Sequence, residues 1–356
     1  MPRVAVAMSG GVDSSVTAAL LKEEGYDVIG VMLRLWSQPG RTNTNRCCAP
    51  ESMAIARRVA AKLDIPFYVV DAQNEFFQTV VSGFINGYAQ AITPNPCLAC
   101  NRSIRWDFLL NRALSMGADY IATGHYARLV KDEDDQISLL RAKDKHKDQS
   151  YVLHVLNQDQ LSSTLLPLGS YTKPEVRDIA RKLELPPAER SDSQDLCFLA
   201  GDDYRNFLNL YNPEIAKSGP IINREGEILG EHRGLAFYTI GQRKGIGIPS
   251  AVPLYVIDKD ISNNCLMVGK KDELGKDCLL ANNANWISNN QPVSPFRAQV
   301  KIRYRANESW GKITPLDKQR FHIKFDNPLR DITPGQAAVL YDDDVCLGGG
   351  VILSAK

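Results

Sequence analysis

The stretch Arg3-Val4-Ala5-Val6-Ala7-Met8-Ser9-Gly10-Gly11-Val12-Asp13-Ser14-Ser15 decides how this chain is read. Its first half is a short apolar run rich in Val, the pattern of a buried strand. Its second half is a glycine turn. A helix-period segment follows, with Val12, Val16, Ala19 and Leu20 on one face, and closes at Gly25. Glycines at such a junction adopt backbone angles closed to other residues and let phosphate oxygens approach main-chain N–H groups. Ser14 and Ser15 add hydroxyl donors, and the helix N-terminus adds partial positive charge. The junction is physically apt for phosphate. It is neither GxxxxGK(S/T) nor GxGxxG. The competing reading is a plain strand–helix turn capped by Asp13.

The same alternation continues outward. Residues 27–33 (DVIGVML), 67–71 (FYVVD) and 119–123 (DYIAT) read as further strands, with helical patterns over 51–63, 74–91 and 103–116. Parallel neighbours need crossovers, so strands separated by helices predict a doubly wound parallel sheet. Thr172-Lys173-Pro174-Glu175 reads as a helix start, with the helix ending before Pro186-Pro187. The middle is Gly-rich with short strands. The last part alternates with period two: over 297–305, Ala298, Val300, Ile302 and Tyr304 face one way and five polar or basic residues the other. The expected architecture is α/β: an N-terminal doubly wound parallel sheet (1–201), a small central domain (202–275) and a C-terminal antiparallel β-barrel (276–356). The charge run 131–135 reads as a solvated turn.

The chain has 356 residues, 42 basic and 41 acidic, a net charge of +1. Whole-chain charge therefore neither demands nor excludes a nucleic acid. The first apolar run is too short for a secretion signal, and no stretch approaches the roughly 20 apolar residues of a membrane span. A soluble, cytoplasmic monomer is expected, with no membrane partner. Its eight cysteines are Cys47, Cys48, Cys97, Cys100, Cys197, Cys265, Cys278 and Cys346. In that compartment they are expected to be reduced, and close pairs become redox, metal or catalytic candidates.

Two cysteine sites stand out. Thr93-Pro94-Asn95-Pro96-Cys97-Leu98-Ala99-Cys100-Asn101 holds a CxxC behind two prolines that preset the backbone. Asn101 is placed to cap the helix that follows, and Cys100 reads as a thiolate nucleophile at a helix start. Ser191-Asp192-Ser193-Gln194-Asp195-Leu196-Cys197-Phe198 holds the second. Taken alone, Cys197 reads as a packed small hydrophobe. Cys47-Cys48 reads as a loop or packing pair ahead of a sulfur relay, and Cys265, Cys278 and Cys346 as structural. Zinc is disfavoured, because no histidine pair stands at finger spacing from the CxxC.

SGGVDSS resembles the pyrophosphate-binding loop of the ATP pyrophosphatase superfamily, whose fold is adenine nucleotide alpha-hydrolase-like. With TPNPCLACN, TGHYAR (123–128), KDQSYVL (147–153), SDSQDLCF, TIGQRKGIGI (239–248), RYR (303–305), PGQAAVLYD (334–342) and CLGGGVI (346–352) in order, the whole chain resembles the tRNA-specific 2-thiouridylases of the MnmA type. The resemblance implies ATP and Mg²⁺, with Ala7, Met8, Ser9, Gly10, Gly11, Val12, Asp13, Ser14, Leu33 and Gly124 around the nucleotide. It implies Cys100 as nucleophile and Cys197 as persulfide carrier. Asn95, Pro96 and Cys97 would lie against the target base, the wobble uridine. His125, Lys147, Asp148, Gln149, Arg303, Tyr304 and Gln336 would touch tRNA. Its implied partners are tRNA and a protein that donates persulfide sulfur.

The implied chemistry suits these residue types. Adenylation turns the uracil C2 oxygen into a good leaving group. The persulfide of Cys197 then attacks C2, and Cys100 attacks the sulfur–sulfur bond, leaving a Cys100–Cys197 disulfide for reduction. One position departs from the pattern: Cys97 stands where many relatives carry Asp. Cys97, Cys100 and Cys197 offer a second arrangement, as ligands of an iron–sulfur cluster. Two other readings compete: a different adenylating ligase, which leaves both cysteine sites without a purpose, and a non-catalytic RNA-binding or sulfur-carrier protein, which leaves the glycine loop without one. Gly241-Gln242-Arg243-Lys244-Gly245 and the basic face of 297–305 are expected to contact RNA phosphates.

Overall fold

The computed structural model describes residues 1–39, 49–191, 196–199 and 201–356. Cys47 and Cys48 lie outside the described residues, as do Asp192 to Asp195 of the second cysteine motif. Strands β1 (Arg3–Ala7), β2 (Asp27–Arg34), β3 (Phe67–Asp71) and β4 (Tyr120–Ala122) form one sheet with the two-residue β7 (Thr164–Leu165). The order is β3-β2-β1-β4-β7, and every pairing is parallel. The doubly wound expectation is met. Strand order reverses between β1 and β4, which opens a crevice at the carboxyl end of β1, where open α/β sheets take their ligands.

Alternation along β1 explains the layers. Val4 and Val6 turn to the side where α1 (Val12–Glu23) packs Val16, Ala19 and Leu20, joined by Ile55 and Val59 of α2 (Pro50–Lys62). Ala5, with Ile29 and Val31 of β2, turns to the other side, onto Trp106, Leu109 and Leu110. Val4, Val6 and Val16 are all fully buried, each worth about 1.5–3 kcal/mol relative to exposure.

The central region is a four-stranded sheet, β8 (Gly219–Ile222), β9 (Ile228–His232), β10 (Tyr255–Asp260) and β11 (Cys265–Gly269), in the order β10-β11-β8-β9. The C-terminal strands are β12 (Lys276–Trp286), β13 (Phe296–Lys301), β14 (Ser309–Pro315), β15 (Phe321–Leu329), β16 (Ala337–Asp342) and β17 (Val345–Ala355). They run β12-β15-β14-β13-β16-β17, and β12 pairs back onto β17, closing an antiparallel barrel as expected. A hairpin from the first third of the chain, β5 (Ala127–Lys131) and β6 (Ile137–Arg141), extends this sheet through β6–β17 pairing. Its tip is the charge run, a turn carrying an exposed Lys131–Asp135 ion pair of 2.7 Å. The barrel exterior is welded to the parallel sheet's lower layer: Ala337, Val339, Tyr341 and Cys346 share one apolar core with Ala5, Trp106 and Tyr151.

Two local expectations are corrected. The strand expected over 297–305 ends at Lys301, where its partners end, so Arg303, Tyr304 and Arg305 lie in the turn beyond it. Asn101 does not cap a helix. It is buried within one, and its Nδ2 donates to the Val152 carbonyl at 2.9 Å; the cap is Asn95, whose Oδ1 accepts from Cys97 N at 3.1 Å.

His154 sits at the weld. It is buried, its Nδ1 lies 2.7 Å from the Tyr151 carbonyl, and Asn285 Nδ2 of β12 donates to the His154 carbonyl at 2.6 Å. Burial lowers its pKa from 6.5 to about 4, with Arg102 adding to the effect. Between those values the unfolded chain binds a proton that the folded chain refuses. The stability so conferred is complete above pH 6.5 and is lost as pH falls towards 4. At about 1.4 kcal/mol per tenfold displacement, the loss is on the order of 3 kcal/mol. The urea midpoint is therefore expected to fall steeply between pH 7 and 5, and less steeply in His154→Asn; identical slopes in the two proteins would refute this account.

Candidate active site

The glycine turn occupies the crevice. Gly10 has φ +70°, and a Cβ there would stand 2.3 Å from the Ser52 carbonyl oxygen in the first turn of α2. Only glycine permits that approach. Gly11 precedes α1 in an extended conformation and no side chain caps the helix. Ser9 N donates to Ser14 Oγ at 3.2 Å, while Ser14 Oγ and Ser15 Oγ donate to the Gly11 carbonyl at 3.1 and 2.9 Å. These bonds draw the turn onto the start of α1, whose N-terminus no side chain caps, an arrangement suited to phosphate oxygens. Gly124, just beyond β4, forms the opposite wall: a Cβ there would come within 2.9 Å of Asp13 and of the Ser14 amide.

Three residues that the sequence reading did not single out hold this loop. Lys173 Nζ donates to both oxygens of Asp13, at 2.7 and 2.8 Å, and Tyr126 Oη donates to Oδ1 at 2.7 Å. Lys173 is only 7% exposed. Its position follows from the Thr172–Glu175 capping box that starts the helix Lys173–Lys182. Arg190 Nη1 donates to the Gly10 carbonyl and Nη2 to Ser52 Oγ, both at 2.9 Å. Asp13 therefore does not act as a mere helix cap. A carboxylate beside a phosphate site would repel the ligand, and its lysine partner offsets that charge.

The CxxC lies against the other face of the sheet, where Leu98 packs with Ala5, Ile29 and Val31. Asn95 caps a helix that begins at Pro96 and runs through a π-helical stretch, Cys100–Leu109, to Ser115. Stretches of this kind concentrate at functional sites. Cys97 is exposed and Cys100 half-buried. Cys100 and Cys197 pack against one apolar cluster built from Phe76, Phe84, Ile104, Phe198 and Phe207. Phe198 stacks edge-on against Phe84, with centroids 5.2 Å apart, and this fixes the chain next to Cys197. Leu33 at the end of β2 is packed against the same cluster. Among the described residues, no three His, Cys, Asp or Glu side chains group to hold a metal ion, so the geometry lends the cluster arrangement no support. Mg²⁺ carried on ATP phosphates asks for no such group, since one or two protein carboxylates suffice.

The loop before the CxxC is gripped from both β domains. Gln336 Nε2 donates to the Thr93 carbonyl at 2.9 Å, and Thr93 N to that of Pro334 at 3.0 Å. From the central domain, Lys259 Nζ donates to the Ala91 carbonyl at 2.9 Å, and Thr239 Oγ1 lies 3.5 Å from Thr93 Oγ1. Burial lowers the Lys259 pKa to about 8. Arg303 Nη2 donates to the Ile240 carbonyl at 3.0 Å and to Thr333 Oγ1, tying the barrel to the central domain. Tyr304 is more open, at 36% exposed, and its pKa is raised by burial, then by Asp148 and, among lesser causes, by Cys97.

The 147–149 segment meets the 123–128 motif. Gln149 N donates to the Tyr126 carbonyl at 2.8 Å and Gln149 Oε1 accepts from Tyr126 N at 3.0 Å. Asp148 is buried and accepts from Ala142 N and from Ser150. Lys147 is half-exposed. His125 is buried, its Nδ1 is 2.7 Å from Thr123 Oγ1, and burial, reinforced by Arg105, lowers its pKa well below 6.5. The imidazole is neutral at physiological pH. Arg297 on the basic face is paired with Asp326. Cys346 is buried, with its pKa pushed up to about 12, while Cys265 and Cys278 are half-buried on strands.

A glycine phosphate loop at a switch point, with a pair of thiols beside the neighbouring strand, defines an α/β protein of the ATP pyrophosphatase superfamily, here extended by two β domains. Comparison with known proteins narrows the class. Family models described as tRNA methyl transferase HUP domain, tRNA methyl transferase PRC-barrel domain and aminomethyltransferase beta-barrel domain match residues 2–201, 205–270 and 276–352. The tRNA-specific 2-thiouridylase MnmA of Natranaerobius thermophilus is 47% identical over 359 residues, covering 99% of this chain and 98% of that protein. The protein of that name from Moorella thermoacetica is 48% identical over 355 residues, covering 98% and 99%, and that from Roseiflexus castenholzii 45% over 368, covering 99% of each. The chain belongs to the MnmA family of tRNA-specific 2-thiouridylases.

The Asp13–Lys173 pair yields a prediction. Lys173→Met leaves the carboxylate without its cation, at a cost of about 1–3 kcal/mol in urea unfolding. ATP affinity falls as well, because the unpaired charge repels phosphate. Adding Asp13→Asn should restore most of the stability; a double variant no more stable than Lys173→Met would count against the pairing argument.

Proposed function

We propose that this chain is an ATP-dependent sulfurtransferase that converts the wobble uridine of tRNA to 2-thiouridine. The observation that carries the reading is the convergence of two thiols. Cys100 and Cys197 are 97 residues apart in sequence, yet they pack on one apolar cluster, and Leu33 of the nucleotide-side strand packs there too. That common packing supports a shared reacting centre.

The reaction runs in three steps. The glycine turn, with Ala7 to Ser14 and Gly124, holds ATP as its Mg²⁺ complex. The uracil C2 oxygen attacks the α-phosphorus, and pyrophosphate leaves. The terminal sulfur of a Cys197 persulfide, loaded by a donor protein, displaces AMP at C2. Cys100 thiolate then attacks Cys197 Sγ, the bond to the transferred sulfur breaks, and its electron pair goes to the thiocarbonyl sulfur. The products are 2-thiouridine and a Cys100–Cys197 disulfide, which an external dithiol reduces.

Asn95, Pro96 and Cys97 receive the base, extruded from its stack. Cys97 stands where many relatives carry Asp, and in this reading it lines the base pocket. Lys147 and Tyr304 meet the RNA directly. Asp148, Gln149, Arg303 and Gln336 act by holding the surfaces that do, since their side chains are bonded within the protein. His125 contributes a neutral ring stacked near Trp106, with centroids 5.6 Å apart. The domain division at residues 201/202 and 275/276 fits this split of chemistry from RNA binding. The reading places the enzyme in the cytoplasm.

The test is incubation with unmodified tRNA, ATP, Mg²⁺ and a persulfide donor, followed by nucleoside mass analysis. The wild type is expected to form 2-thiouridine. Cys100→Ala and Cys197→Ala are expected to bind ATP normally and to form less than about one-thousandth as much, since removing a covalent nucleophile typically forfeits most of the acceleration. Undiminished product from either variant would overturn the mechanism.

A further inference from the structure

Lys259 holds one end of the strap that leads into the CxxC helix, and no step of the proposed reaction uses it. The helix Ser82–Ala89 ends just before this strap. Ala91 N donates to the Tyr88 carbonyl at 2.9 Å and Ile92 N to the Gly87 carbonyl at 3.0 Å, the pair of bonds with which a left-handed residue closes a helix. Glycine is the usual residue at that position, because a Cβ makes the left-handed region costly. Here it is Ala91, at φ +55°. Its methyl group packs against the apolar core of the central domain, which contains Tyr238 and Val256. Its carbonyl accepts from Lys259 Nζ at 2.9 Å. Side chain and carbonyl of Ala91 are thus both committed to the central domain.

Lys259 reaches this carbonyl from β10, where a bulge between Val256 and Asp258 shifts the strand's alternation. Among the described residues, the Ala91 carbonyl is the ammonium's one hydrogen-bond partner. Burial lowers the pKa of the group to about 8, so the ammonium is kept here against a desolvation penalty. The rest of the strap is held link by link. Thr93 N donates to the Pro334 carbonyl at 3.0 Å, and the Thr93 carbonyl accepts from Gln336 Nε2 at 2.9 Å. A Cβ on Gly335 would stand 2.8 Å from the Thr93 carbonyl oxygen, and one on Gly87 would stand 2.8 Å from Pro94 Cγ. Pro94 and Pro96 fix φ on either side of Asn95, whose Oδ1 accepts from Cys97 N at 3.1 Å. Each residue from Ala91 to Cys97 is bonded or packed, so a shift at the Ala91 carbonyl is passed on to the CxxC.

We infer that Lys259 is a positioning residue for sulfur transfer: its bond to Ala91 sets the strap, and the strap sets the start of the helix that bears Cys97 and Cys100. The inference rests on the sulfurtransferase reading. In that reaction Asn95, Pro96 and Cys97 receive the base, and Cys100 attacks the persulfide. A displaced strap therefore misplaces both the base and the thiolate, and leaves the glycine turn untouched.

The experiment uses full-length protein and compares two variants. Lys259→Met keeps an aliphatic chain and removes the donor; Lys259→Arg keeps a donor and the charge. With saturating ATP, unmodified tRNA and a persulfide donor, the thiolation kcat of Lys259→Met should fall by about tenfold to a hundredfold, the scale on which small misplacements of reacting groups are felt. Its equilibrium affinities for ATP and tRNA should stay at the wild-type values, and Lys259→Arg should recover much of the lost rate. A second measurement needs no tRNA: the rate at which iodoacetamide alkylates Cys100, read by peptide mass. Cys100 is half-buried, so a loosened strap should raise that rate several-fold in Lys259→Met and less in Lys259→Arg. A wild-type kcat or a wild-type alkylation rate in Lys259→Met would overturn the inference, as would a Lys259→Arg no better than Lys259→Met. Loss of ATP and tRNA affinity together with kcat would overturn it too, since that marks general unfolding rather than displacement. Failure of the wild type to thiolate tRNA would sink the sulfurtransferase reading instead, while the alkylation rates would still report on the strap.

Discussion

The backbone of α2 touches the backbone of the glycine turn, and the site is built around that contact. Ser52 can approach Gly10 because position 10 has no side chain and adopts φ +70°. The contact brings the N-terminal ends of α1 and α2 together at the carboxyl end of β1, so both contribute partial positive charge to one crevice. Asp13 would spoil that field were it not bonded by Lys173 and Tyr126. Tyr126 is placed in turn by paired hydrogen bonds to Gln149. The motifs around residues 9, 124, 148 and 173 are one mechanical unit, although they are spread over more than a hundred residues.

A second unit lies at the loop before the CxxC. Ala91 and Thr93 are bonded by Lys259 and Thr239 from one β domain and by Gln336 and Pro334 from the other. Any RNA that rests on either β domain bears on the chain that presents Cys97 and Cys100. The barrel cannot drift independently, because its outer face shares a core with the parallel sheet and its last strand pairs with the hairpin of β5 and β6. The arrangement favours a substrate large enough to span all three parts, which a folded tRNA is.

The sequence was most informative where signals are local. A buried strand, a glycine turn and an amphipathic helix within the first 25 residues set the crevice, and Thr172 to Glu175 mark a helix start, whereas the cap before the CxxC was read at Asn101 and lies at Asn95. Long-range partners were invisible. Nothing near Lys173 or Arg190 tells of Asp13 or Gly10, which lie 160 and 180 residues away. Alternation over 297–305 ran on past Lys301 because period two records which face a residue takes, not where the neighbouring strand stops. The β5–β6 hairpin gave no hint that its partner is the last strand of the chain, since edge pairing depends on tertiary placement.

The apolar character of the thiol pocket bears on the chemistry. An adenylated uridine can be attacked by sulfur or by water, and water is far more abundant. A wall of Phe76, Phe84, Phe198 and Phe207 beside both cysteines leaves few polar groups to retain water near the reacting carbon. The same wall gives a persulfide, which is polarizable and weakly solvated, a better environment than it gives hydroxide. In the proposed mechanism, discrimination for sulfur over oxygen would arise from packing as well as from nucleophilicity.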